Sequence, residues 1–455
     1  MSPPEGKMKG NSSPEDVSTR LRRIAELART APSMVLTNLA HHIDEVLLRE
    51  AYGRTRKDGA PGVDGLTAAS FAEGLEENLR RLEAQLKTGN YRAPPVRRVH
   101  IPKGDGSKTR PIGIPTFEDK VLQRAVCMVM EAVYEQDFLE CSWGFRPGRS
   151  PHKALESLWD TCGFVGGWVL EADIKGFFDT VVHRHLRAFL DQRVRDGVLR
   201  RAIDKWLAAG VLEFGELTRS DIGTPQGGVI SPLLANIYLH EVLDKWFDAE
   251  VKPMLGKRAQ LIRYADDFVI VFSSKEDAMR VWDELPKRFE KYGLELHPTK
   301  TRIIEFLRPP RDGKPPRGDD GKRSFDLLGF THYWGKSRKG MWVVKRKTMA
   351  SRLARALKAV TDWCGKHRHE SIPEQRTALA AKLQGHYGYY GITGNMDALR
   401  NFFHEVTRIW REWLHRRSHR ARMTWERFHG LLERNPLPQP VVVHSIYGQK
   451  RARGR

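Results

Sequence analysis

The stretch Leu261-Ile-Arg-Tyr-Ala-Asp-Asp-Phe-Val-Ile-Val-Phe272 constrains this chain more than any other. Two apolar runs of β-like composition flank a pair of acids. The pattern predicts a hairpin with arms from Leu261 to Tyr264 and from Phe268 to Phe272 around Ala265-Asp266-Asp267. Such apolar arms belong inside a fold, where a bare carboxylate is costly and a cation is needed to neutralise it. An ordinary Asp-rich turn would look the same in isolation. A second acid narrows the choice. In Val169-Leu-Glu-Ala-Asp-Ile-Lys-Gly-Phe-Phe-Asp179, Asp173 closes another apolar strand that begins at Trp168. With the two segments side by side, Asp173, Asp266 and Asp267 form three carboxylates at adjacent strand ends. That donor set suits hard divalent ions such as magnesium, two of which it can hold for a phosphoryl-transfer displacement.

The charge balance points the same way. The 455 residues include 77 Lys and Arg against 56 acids, a formal +21, and so large an excess is expected to meet a phosphate backbone. No apolar run approaches the roughly 18 residues of a membrane span, and the polar start MSPPEGKMKGNSSPEDVSTR lacks a signal peptide's apolar core. Cys127, Cys141, Cys162 and Cys364 are widely spaced, which argues for a reducing cytoplasm rather than disulfides or a zinc ribbon. Cys364, His367 and His369 are read as solvated, with no zinc.

Along the chain, a loose polar leader is expected up to residue 36, followed by a helix from Thr37 to Tyr52. Gly59-Ala-Pro-Gly-Val-Asp-Gly65 breaks the pattern, and a second amphipathic helix carries Phe71, Leu75, Leu79 and Leu82. Residues 91 to 115 read as a two-stranded hairpin with Lys103 and Arg110 on its arms. Helix returns from Phe117 to Phe138. Residues 308 to 323 form a Pro/Gly/charge-rich surface loop, and almost everything beyond Lys347 is helical. There Met396, Leu399, Phe402, Phe403, Val406, Ile409, Trp410, Trp413 and Leu414 make an amphipathic stripe. Trp363, Trp410 and Trp413 are read as mostly core, with Lys and Arg on the outer face. Beyond Arg416 acids occur only at Glu426 and Glu433.

Nine blocks in order make the chain resemble group II intron-encoded proteins, the bacterial reverse transcriptase/maturases. They are GAPGVDG (59–65), IPKGDGSKTRPIGIPTFEDKVLQRAV (101–126), SWGFRPGRSPHKAL (142–155), EADIKGFFD (171–179), GTPQGGVISPLLANIYL (223–239), RYADDFVIVF (263–272), HPTKTRI (297–303), DLLGF (326–330) and LQGHYGYYGITGN (383–395). The resemblance implies an α+β right-hand polymerase. Its N-terminal extension and fingers would occupy 37–165, its palm with an antiparallel sheet and part of the fingers inserted 166–346, and its helical thumb or maturase domain 347–420. It also implies RNA-directed DNA synthesis with two magnesium ions, replaceable by manganese, on Asp173, Asp266 and Asp267. One ion would activate the primer 3′-hydroxyl and the other would stabilise the departing pyrophosphate. Lys103, Arg110, Ile174 and Gln226 match positions around the incoming dNTP. Phe177 or Phe178 supplies the aromatic plate that rejects a ribose 2′-hydroxyl, and spacing does not choose between them. Lys300 matches a proton donor near the pyrophosphate, and Leu328-Gly329 the primer grip.

The implied partners are group II intron RNA, a DNA target and primer-template, and dNTPs, with no membrane; a dimer is left open. The setting is a bacterial cytoplasm, with nucleoid association when DNA is the substrate. Many members carry an HNH nuclease; up to Arg455 none is seen, so residues 421–455 are expected to be a short basic DNA-binding segment and tail. Target cleavage would come from the RNA or from host nicks and replication forks. Three other readings are a domesticated polymerase in DNA repair or phage defence, a non-catalytic RNA-binding scaffold, and an RNA-dependent RNA polymerase. Retention of Asp173, Asp266, Asp267, Gln226 and Lys300 argues against the scaffold. The Phe177-Phe178 pair argues against RNA synthesis.

Overall fold

In a computed structural model, residues 14–103, 108–213, 216–218, 223, 227–311, 323–337, 339–417 and 423–445 are described. The N-terminal half begins with α1 (Pro14–Thr30), α2 (Glu45–Arg54), α3 (Ala68–Glu73) and α4 (Leu75–Thr88). The hairpin β1 (Val96–Lys103) and β2 (Lys108–Ile114) leads into α5 (Phe117–Tyr134) and α6 (Pro151–Phe164). Next come β3 (Gly167–Asp173), α7 (Phe177–Thr180), α8 (His183–Asp191), α9 (Gly197–Ala208), β4 (Val211–Glu213) and β5 (Glu216–Thr218). Helix α10 (Ser231–Leu239) runs on into wide π-helical turns through Val251.

The hairpin β6 (Ala259–Tyr264) and β7 (Asp267–Phe272) precedes α11 (Lys275–Lys291), β8 (Arg302–Phe306), β9 (Ser324–Leu327), β10 (Phe330–Lys336) and β11 (Trp342–Thr348). The chain then turns helical: α12 (Ala350–Lys366), α13 (Ile372–Tyr390), α14 (Met396–His415) and α15 (Trp425–Arg434). The expected α+β fold with a helical C-terminal region is what forms. The loop read from 308 to 323 falls largely on residues 312–322, outside the described residues.

An antiparallel sheet of order β6-β7-β3-β8 lies at the centre. Its strands are near-continuous apolar runs because both faces are covered. Period-two alternation divides them: Leu170, Ala172, Phe268, Ile270 and Phe272 join the main core, which also holds α5 and α10. Val169, Ile262, Val269, Val271, Ile304 and Phe306 face a second core closed by the sheet β11-β10-β9. The β1-β2 hairpin forms as expected and is extended by β4, parallel to β1, and β5.

Three expectations need correction. Residues from Pro14 onward are not a loose leader, because α1 buries Val17, Ile24 and Ala28 in the main core. The buried Arg193 ties down its C-terminal end, donating to the carbonyl of Ala28 in the helix and to those of Ala31 and Met34 just beyond it, and pairs with Asp137. The polar spacing of α1 hid a helix whose C-terminal end is tied down by Arg193, 162 residues from Ala31. The segment expected to be a short basic DNA-binding region and tail contains a packed helix within its described residues. Phe428 and Leu431 of α15, with Leu437, are buried against α13 and α14. Cys364 also sits inside this bundle core rather than in solvent.

Candidate active site

The sheet ends place the acids. Asp173, last residue of β3, is the register partner of Asp267, first residue of β7, and Asp267 also pairs with Tyr264 of β6. The β6-β7 turn is therefore only two residues, Ala265 and Asp266. Its first residue carries φ +55, a left-handed conformation usually given to glycine, so strain is stored in the turn that presents the acids.

Arg263 holds that turn. Its guanidinium is wholly buried and all five N–H groups are used. Nε and Nη2 donate to Asp244 Oδ1 and Oδ2 at 2.7 and 2.5 Å, and Nη2 also donates to Ser142 Oγ at 2.8 Å. Nη1 donates to Asn236 Oδ1 at 3.0 Å and to the Ala265 carbonyl at 3.1 Å. Asp244, Asn236 and Ser142 escaped the sequence reading. The one signal was a charge inside an apolar strand, which had to be paired somewhere. Asp244 is brought there by the π-helical turn after α10, and π-turns occur often at functional sites.

Electrostatics tie the acids together. Burial pushes the Asp266 carboxyl up and the Asp173 charge adds to it, while Arg110 and Lys300 oppose the shift. Asp267 is pushed up to about 7, first by burial and then by Asp266, Asp173 and Glu171, against the Leu328 N–H, which lies 3.5 Å from its Oδ2. Lys300, half-exposed before β8, donates to Asp173 Oδ2 at 2.6 Å. Asp173, Asp266 and Asp267 supply the kind of oxygen donor that a hard divalent cation takes. Among the described residues no three such groups converge on one point, and an ion would have to take Asp173 over from Lys300.

The remaining sequence-derived positions divide as follows. Arg110 is exposed on β2 and acts on Asp266 across the space between. Lys103 ends β1, its side chain not described, and Gln226 lies outside the described residues. The flanks of Gln226 are placed. Gly223 runs against the backbone of Phe178 and Asp179, and Gly227 (φ +109) against Gly113 of β2, where a Cβ would stand 2.4 Å from the Gly113 carbonyl oxygen. The side chain of Ile174 is buried, so only its main chain is open to a ligand. Phe177 is buried, near Tyr238 at 6.3 Å between ring centroids, while Phe178 is half-buried. Leu328 (φ +52) and Gly329 (φ +80) form the tight β9-β10 turn. The carbonyl of Leu328 accepts from Tyr389 Oη at 2.9 Å and that of Gly329 from the Met349 N–H at 3.0 Å, tying the turn to the helical region.

Residues 101–332, from β1 into β10, match the family described as reverse transcriptase (RNA-dependent DNA polymerase). The chain is similar to protein YkfC of Escherichia coli (strain K12), 36% identical over 326 residues, covering 63% of this chain and 84% of that protein. It is similar to the group II intron-encoded protein LtrA of Lactococcus lactis subsp. cremoris, 34% identical over 405 residues, covering 74% of this chain and 66% of LtrA. It is also similar to the putative COX1/OXI3 intron 1 protein of Saccharomyces cerevisiae, 26% identical over 318 residues, covering 59% of this chain and 37% of that protein. No described helix is long and apolar enough to cross a membrane. Strand-end carboxylates, the matched family and these relatives lead to one assignment: the chain belongs to the reverse transcriptases (RNA-dependent DNA polymerases).

Proposed function

We propose that the chain copies RNA into DNA by two-metal nucleotidyl transfer at Asp173, Asp266 and Asp267, and that it binds a group II intron RNA to assist splicing and mobility. The observation that carries the catalytic part is the register pairing of Asp173 with Asp267 beside the strained Ala265-Asp266 turn. These carboxylates would hold magnesium, or manganese in its place, which when bound supplies Lewis-acid stabilisation of the attacking and leaving oxygens. Lys300, which donates to Asp173 Oδ2 at 2.6 Å, would pass a proton to the leaving pyrophosphate. Arg110, with Lys103 on the facing strand, clamps the triphosphate. Phe178 is the sugar gate, since the Phe177 ring is committed to the core. Gln226 and the main chain of Ile174 complete the nucleotide site, and Leu328-Gly329 positions the primer beside Asp267.

In this reading the fingers extend from α1 through α6, the palm follows the central sheet, and the helices from α12 onward form the thumb. That helical region, rich in Lys and Arg, meets the intron RNA and primer-template backbone. Similarity to LtrA, a group II intron-encoded protein, favours the intron role. Asp266→Asn tests the catalytic reading. It is expected to abolish magnesium-dependent primer extension and leave RNA binding in place, because a metal ligand acts in the transition state and backbone contacts are spread over a wide basic surface. Extension within about tenfold of wild type would remove Asp266 from the metal site.

A further inference from the structure

We propose that Phe145 is a stacking surface for a nucleobase of the bound primer-template, set beside the catalytic turn. The inference rests on the polymerase reading above and concerns a residue to which that reading gives no task.

Phe145 combines two properties that a fold does not need together. Its backbone is left-handed, with φ +56, an unfavourable conformation for any residue with a Cβ. The residue is 59% exposed, so little apolar burial offsets the strain. Both neighbours are locked. A Cβ on Gly144 would stand 2.4 Å from the Ala265 backbone nitrogen, and the Gly144 carbonyl accepts from Asn236 Nδ2 at 2.7 Å. Arg146 is buried, paired with Glu135 at 3.0 Å and donating to the carbonyls of Leu139 and Ser142 at 2.9 Å each. The preceding residues join the edge of β6, where the Trp143 N–H donates to Arg263 O and the Arg263 N–H to Cys141 O, each at 2.8 Å. The loop is therefore over-determined on either side of one strained, outward-facing ring.

The ring's place gives it a use. Its centroid lies 6.0 Å from that of Tyr264, tilted by 47°, and Tyr264 immediately precedes Ala265-Asp266-Asp267. Two accessible aromatic rings thus flank the turn that carries the acids. A base has a π-face whatever its identity, so stacking on an aromatic ring holds a strand without reading its sequence. That suits an enzyme that must accept any templating base. Strain kept at a surface position beside a site of chemistry is where function is expected to have selected it.

The test uses the full chain in primer-template binding and single-turnover extension with Phe145→Ala, Phe145→Gly and Phe145→Trp. Loss of one stacked base predicts a roughly 5- to 150-fold higher Kd and KM for Ala and Gly, with Trp near wild type. Two further substrates identify the base: one abasic in the template opposite the incoming nucleotide, the other abasic at the primer 3′ end. The Ala defect should vanish on whichever substrate lacks the stacked base. An equal defect on the intact and both abasic substrates, or none on any, overturns the proposal. Gly relieves the backbone strain, so its Tm should equal or exceed that of wild type while binding weakens. A lower Tm with unchanged binding would make the ring structural and also overturn it. Wild-type extension is measured alongside, so failure at Phe145 is distinct from failure of the polymerase reading.

Discussion

Removing Asp244 is the most informative single perturbation of this structure, because it separates what holds the catalytic turn from what performs chemistry. Asp244 and Arg263 are both fully buried and joined by two charge-assisted hydrogen bonds. In Asp244→Ala, two of the five guanidinium donors lose their acceptor and a positive charge is left without its counterion in a dry site. Breaking such a pair costs roughly 3–5 kcal/mol. At about 2–4 °C per kcal/mol for a unit of 150–250 residues, Tm should fall by roughly 6–20 °C. Replacing both partners by apolar residues, Asp244→Leu with Arg263→Met, should recover much of that stability. The double variant nonetheless loses the donor to the Ala265 carbonyl, so the Asp266-Asp267 turn is free to shift. A displacement near 1 Å costs on the order of 10²-fold in rate, so its kcat should stay low while its Tm returns. Calorimetry with single-turnover extension reads both. An Asp244→Ala protein with wild-type Tm would refute the buried-pair argument, and a double variant with wild-type kcat would refute the anchoring of the turn.

Two further outcomes follow from the same geometry. Phe178→Ala should raise ribonucleotide incorporation relative to deoxyribonucleotide, whereas Phe177→Ala should chiefly lower stability, by roughly 3–5 kcal/mol for a buried aromatic ring; the opposite pattern in competition assays and melting curves would reverse their roles. Burial pushes the Asp119 carboxyl up to about 8, helped by the Asp64 charge, while Tyr91 Oη donates to it. The folded state thus keeps a proton that the unfolded chain releases near 3.8, so stability should fall as pH rises from about 4 to about 8. Asp119→Asn removes this dependence, and urea midpoints at pH 5 and 8.5 should show the variant gaining on wild type; a gap unchanged with pH would mean that Asp119 is ionised in the fold.

Local pattern was enough for much of the architecture. Two apolar runs around Asp266-Asp267 predicted β6, β7 and their turn, and residues 96–103 and 108–114 pair as the expected hairpin. Most of the stripe from Met396 to Leu414, namely Leu399, Phe402, Val406, Ile409, Trp410 and Leu414, is the buried face of α14. These signals are periodicities, and periodicity is set by backbone geometry that any segment carries within itself. The acid trio was legible for a related reason, since charge at the end of an apolar strand conflicts with burial and so stands out.

What the sequence could not decide depends on residues far apart in the chain. Phe177 and Phe178 are chemically alike, and only their direction relative to Tyr238 commits one ring to the core and leaves the other half-open. The helix α1 is polar by local measure and became legible only once Arg193 and Asp137 stood at its end. Arg263 announced a buried charge, but its acceptors come from residues 142, 236, 244 and 265. Phe145 carries no sequence signature at all, because its exposure and left-handed backbone arise from how Gly144 and Arg146 are fixed by other segments. The sequence by itself determined which strands form and which acids they carry. Tertiary structure decided which side chains face one another, because direction and burial are properties of the packed whole.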